Sequence, residues 1–157
     1  MAQLLAVLVA IGLMAAMVTA SVQYVDPVMQ QAGPWTERLE RAFLELQRGH
    51  EAYKAATGSL PNALADITPR YVFLPAAPPG MSWDYGSGGA SGTGRYFCLS
   101  GAAGPAVFEA LGRLTGRLSP QAYFRDGAQC GVTADNPPPG GGNSTTVFVT
   151  YWVESYL

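Results

Sequence analysis

At 157 residues the chain has room for one apolar segment and one small domain, and a hydrophobic content of 48% with 11% aromatics separates it from disordered sequences. Nine Lys and Arg against eleven Asp and Glu leave a net charge of −2, so no basic surface suggests nucleic acid as a partner. Nineteen glycines and twelve prolines predict that the domain is rich in loops.

From Met1 to Val25 there is no charged residue, and the first charge is Asp26. A bilayer core requires about 20 mainly apolar residues in a helix, so this run is long enough to span one or to be hidden in an assembly. Residues 1–33 are therefore read as an apolar transmembrane or assembly helix. At about 100° per residue, Ala2, Ala6, Ala10, Gly12, Ala16 and Ala20 fall within one arc of roughly 160°, opposite Leu4, Val7, Leu8, Ile11, Met14 and Val18. The spacing Gly12-xxx-Ala16-xxx-Ala20 lets two helix backbones approach closely in an apolar medium, which makes these six the candidate helix-packing residues. Leu5, Val9, Leu13 and Met17 interrupt the arc, and the competing reading is that alanine is simply common here. Val18-Thr-Ala20 before Ser21 has the form of a signal-peptide cleavage site, but Met-Ala-Gln supplies no basic n-region. The same gap weakens an ordinary anchor, whose cytoplasmic end is normally basic. A basic leader already removed, with Met1 as the first mature residue, would account for both.

Pro27, Gly33 and Pro34 predict a kink or short break, with Pro34 opening a new helix. Over 34–57 the pattern is amphipathic: Trp35, Leu39, Ala42, Phe43, Leu46, Tyr53 and Ala56 recur at helical spacings between charged positions, and Gly58 is placed as the stop. His50, between Arg48-Gly49 and Glu51, reads as a solvated residue on the charged part of that helix. Leu60 to Leu64 suggests a helical turn, and an irregular proline-rich stretch follows to Gly80. Met81–Tyr85 and Arg95–Ser100 read as two strands joined by the flexible loop 86–94, and Gly104-Pro105 opens a short helix to about Leu114. A loop passes Pro120 and Cys130, Pro137–Gly142 is a second breaker, and Thr145–Val153 is the most strand-like run. The expected fold class is α+β: a long hydrophobic-then-amphipathic helix packed on a small antiparallel head spanning 34–157. Cys98 and Cys130, an even pair in what reads as an exported domain, predict one disulfide in an oxidising compartment; two free buried thiols are the alternative. Such a bridge would add about 3–4 kcal/mol.

No group of residues carries an obvious chemistry, so the catalytic set is empty and no cofactor or metal is expected. A lone histidine without ligand-spaced partners makes no metal site, and the two cysteines are too far apart for a CxxC redox pair. GxSxG and the Walker loop are absent, and the glycines of 86–94 lack GxGxxG spacing. Glu109 with Asp126 could be imagined as paired acids, but solubility and loop hydrogen bonding explain them equally well. Asn143-Ser-Thr145 matches a glycosylation acceptor at a length where chance suffices. Phe148, Tyr151, Trp152 and Tyr156 suit alternate burial in the sheet better than an exposed contact.

Three features resemble the type IV pilins and pseudopilins. Leu4-Leu-Ala-Val-Leu-Val with Gly12-Leu-Met is similar to the opening of type IVb pilins, whose mature chains can begin with Met. Tyr53-Lys-Ala-Ala-Thr-Gly-Ser-Leu-Pro61 and Leu64-Ala-Asp-Ile-Thr-Pro69 resemble the segment that ends the long helix in many pilin-like proteins, and both cysteines lie late in the chain. The resemblance implies a structural filament subunit, non-enzymatic, whose partners are copies of itself or related subunits. It implies residence in the inner membrane before assembly and at the cell surface afterwards. One departure stands out. Most pilins carry a glutamate at the fifth mature position, whereas Leu5 and Ala6 occupy that neighbourhood here. This suits a minor or accessory subunit better than a major one. The alternatives are a single-pass inner-membrane accessory protein and, further away, a secreted domain with a cleaved signal peptide.

Overall fold

The computed structural model describes residues 7, 9–14, 17, 27–89, 92–126, 129–131 and 146–154. Its dominant element is helix α1, Pro27–Thr57, 31 residues long. Small and apolar side chains recur along it at steps of three and four, and Ala32, Thr36, Leu39, Phe43, Leu46 and His50 form its buried stripe. The described helix is not interrupted between Pro27 and Pro34, and Pro34 does not open a new helix. Pro27 is the first residue of α1 and Pro34 lies inside it, so the division at 33/34 falls within one helix. Around Pro34 the helix is held from outside: Ala32 and Thr36 are buried, and the Thr36 hydroxyl lies 2.9 Å from the Ala32 carbonyl and 3.5 Å from that of Ala110. At the other end Gly58 takes φ +68° and its N–H donates to the Lys54 carbonyl at 2.9 Å, the glycine stop expected there.

Helix α2, Leu64–Ile67, is a single turn whose Asp66 carboxylate accepts the backbone N–H of Asn62 at 2.8 Å and of Ala63 at 3.0 Å. Strands β1 (Met81–Gly88) and β2 (Gly94–Ala102) form the predicted hairpin, each longer than the sequence suggested. Helix α3, Pro105–Leu118, runs one turn past the expected Leu114, with Arg117 in that turn paired to Glu40 of α1 at 3.2 Å. Strand β3, Ala122–Asp126, occupies chain that reads as loop, because five residues after Pro120 carry little signal of their own and β4 supplies the ladder. Strand β4, Thr146–Trp152, is the strong C-terminal strand. The chain is thus α+β with a four-stranded antiparallel sheet, order β1-β2-β4-β3.

Strand alternation sorts the sheet into two apolar faces. Trp83, Tyr85, Phe97, Leu99, Val147, Val149, Tyr151 and Phe124 face the helices and join Phe43, Leu46, Phe108, Leu111 and Leu114 in the main core. Phe43 holds the centre, with ring centroids 4.9 Å from Trp83 and 5.4 Å from Tyr151. Tyr96, Cys98 and Trp152 point the other way and form a second, smaller cluster with Tyr123, Phe148 and Cys130. Cys98 and Cys130 are bonded, with Cα atoms 5.9 Å apart, and Gly131 N–H donates to Thr150 Oγ1 at 3.1 Å. The bridge therefore holds the 130–131 segment on the face that no described helix covers.

Candidate assembly helix and the head behind it

Among residues 1–26 the structure describes 7, 9–14 and 17, all helical and all exposed. Val7, Val9, Ile11, Leu13, Met14 and Met17 are each more than half accessible, Met14 the most at 71%. Six consecutive residues at about 100° per step point to every side of a helix. Positions 9–14 are thus apolar all round, and nothing described in this chain covers any side. Helices of that kind are buried in a large core, in a bilayer or among other helices.

Of the candidate packing residues, Ala10 and Gly12 lie on this exposed helix. Ala2, Ala6, Ala16 and Ala20 lie outside the described residues. A Cβ added at Gly12 would meet nothing within 4 Å, so the position imposes no steric demand from within its own described chain. Among the described residues no helix is long and apolar enough to cross a membrane.

The head presents a face of mixed charge. Along α1, Glu37 pairs with Arg41 at 3.4 Å, and Arg38 stacks on Trp35 with its guanidinium carbon 5.3 Å from the ring centroid. An open groove of about 460 Å³ runs between these residues and Pro75–Ala76. Two carboxylates and two guanidiniums line it, so it selects no sign of charge. Next to it in sequence Phe73 is 82% exposed. The irregular stretch that carries these residues is fastened to β1 by Trp83, whose indole N–H donates to the Pro75 carbonyl at 2.9 Å.

The remaining candidates from the sequence are placed as follows. Glu109 bonds Arg113 on its own helix at 3.2 Å, and the side chain of Asp126 lies outside the described residues. Tyr151 and Trp152 are both buried, on opposite faces of the sheet, and Phe148 is half-buried, so burial extends beyond the alternate members expected, while Tyr156 and Asn143-Ser-Thr145 lie outside the described residues. Among the described residues no group of three His, Cys, Asp or Glu could hold a metal.

His50 overturns its reading. It is fully buried, its ring centroid 6.0 Å from that of Tyr85 and 6.5 Å from that of Phe97. Its place on the buried stripe, four residues after Leu46, was visible in the spacing. Arg48 and Glu51 on either side hid it, since neighbours in sequence point to other sides of a helix. Burial pushes its proton affinity below the ordinary histidine value, and burial likewise raises the Tyr85, Tyr96 and Tyr151 phenols above theirs. The Tyr151 hydroxyl donates to Gln47 Oε1 at 2.6 Å, tying β4 to α1.

Comparison with protein-family models, with curated proteins and with solved structures returns no match to this chain.

Proposed function

We propose that the chain is a pilin-like structural subunit, held in the inner membrane by its apolar N-terminal helix and then packed through it against copies of itself or related subunits. The observation that carries this reading is the helix at 9–14, apolar on every side and bare of contacts from its own described chain, ahead of a disulfide-closed α+β head. Bilayer and filament interior both satisfy such a helix. A head stapled by a disulfide belongs in an oxidising compartment, consistent with a periplasmic and then extracellular position. No step in this role requires chemistry by the chain itself.

Gly12→Leu and Ala16→Leu test it. At Gly12 an added Cβ meets nothing within 4 Å in its own described chain, so an assembly defect with a normally folded head would report a partner helix. Normal filaments from both variants would rule out the proposed packing face. Intact mass of the assembled or exported protein separates the fates of the segment, because loss of residues 1–20 would identify a secreted domain and end the filament reading.

The neighbourhood of Leu5 and Ala6 favours a second reading. With no acid before Asp26, the segment lacks the carboxylate expected to meet a neighbour's terminal amine, which suits a minor subunit or a single-pass accessory protein of a pilus or secretion system. Recovery only from membranes, never from sheared filaments, would select the accessory role.

A further inference from the structure

His50 lies in the last third of α1, where that helix rests on β1 and β2. Solvent reaches none of it, and neither ring nitrogen has a hydrogen-bond partner among the described residues. The hydroxyl of Tyr85, the ring facing it from β1, is buried and has no partner among the described residues either. Three buried polar atoms thus sit on two rings whose centroids are 6.0 Å apart, between helix and sheet, with no hydrogen-bond partner among the described residues. A neutral imidazole tolerates this at some cost, but an imidazolium, with two N–H donors and a full charge, does not.

The charged groups nearby do not rescue it. Glu51 on α1 and Glu154 after β4 favour the charged ring, Lys54 on α1 and Arg95 on β2 oppose it, and loss of solvent outweighs them all. Glu154 is already engaged by Lys54 at 2.7 Å. Besides that ion pair, the Tyr53–Tyr71 ring contact at 5.4 Å, the Tyr151–Gln47 hydrogen bond at 2.6 Å and the close approach of Val72 to Gly49 fasten this end of α1. The ion pair is at the surface and the two rings are half-buried. The first half of the helix is held separately by α3, through Thr36, Ala110 and the Arg117–Glu40 pair.

We propose that His50 is an acid-operated latch: uncharged, it seats the last third of α1 on the sheet, and protonation releases that third so that the ring reaches water. The released ring has an ordinary proton affinity, near 6.5. Opening then takes up a proton wherever pH lies below that value and above the lowered one of the closed state. Over that interval the opening constant rises by up to about tenfold per pH unit. The first half of α1, clamped by α3, stays in place.

Amide hydrogen exchange on the full chain in detergent micelles, corrected for intrinsic rates, tests this between about pH 7.5 and pH 5. Peptides covering 46–57 should show a several-fold rise in opening on acidification, with little change over 105–118. His50→Phe should abolish the rise and Tyr85→Phe should keep it. An equal rise in His50→Phe, or no rise in the wild type, overturns the latch. Because His50 is the only histidine, its ring C2 proton gives one unambiguous NMR titration in the wild type, whether or not the variants fold. A midpoint well below 6.5 supports the latch, and an ordinary midpoint with the 46–57 amides still protected refutes it.

Discussion

Gly49 shows how much one absent methyl can decide. A Cβ there would lie 2.5 Å from Val72 Cγ1 and 3.1 Å from Ile67 Cγ2, so the bare backbone of α1 lets the 67–72 segment close over the helix. Gly49→Ala gains about 1 kcal/mol of helix propensity but forces that contact apart, and a net loss of about 1–2 kcal/mol is expected in urea unfolding. Gly116 in α3 is the converse. Nothing lies within 4 Å of its missing Cβ and its backbone is helical, so Gly116→Ala should stabilise the head by about 0.5–1 kcal/mol in the same assay. Sequence alone treats the two glycines alike, as weak points in helical patterns. What separates them is whether another part of the chain passes overhead.

At the scale of elements, α1 and the disulfide do most of the organising. Phe43 is fully buried between Trp83 and Tyr151, and Phe43→Ala should cost about 3–5 kcal/mol, seen as a large drop in the urea midpoint. The Cys98–Cys130 bridge closes a loop with a sequence separation of 32 that contains β3 and holds 130–131 over the Tyr96–Trp152 pair. Replacing both cysteines with alanine should lower unfolding free energy by about 3–4 kcal/mol, and reduction of the wild type should reproduce most of that loss. The amphipathic pattern over 34–57 announced α1 directly, as did the β-branched and aromatic run of β4. Strand β3 was not announced. Its alternation, Ala122 and Phe124 inward with Tyr123 outward, is too short to read before β4 is set beside it.

For the whole molecule, buried titratable groups bound the pH range of full stability. His50 binds its proton less readily folded than unfolded, so below about 6.5 the unfolded chain takes up more protons and stability falls as pH decreases. Tyr85, Tyr96 and Tyr151 ionise less readily folded than unfolded, so above about 10 the unfolded chain loses protons first and stability falls as pH increases. Thermal unfolding of the full chain in detergent should therefore show a plateau between these limits. His50→Phe should extend it on the acid side without moving the alkaline edge. Residues 1–25 alone specify an apolar segment without charge, because composition is enough to dictate its preference for an apolar medium. Composition and periodicity likewise dictated an α+β head, since the helix period and the three strand-like runs are local properties. Only the tertiary structure decided that α1 runs unbroken through Pro34, that β3 joins the sheet, and that His50 is buried. Each depends on a surface brought from far along the chain: α3 on Ala32 and Thr36, β4 beside β3, and Tyr85 and Phe97 over His50. A local pattern can show which way a side chain points, but burial depends on what arrives to meet it.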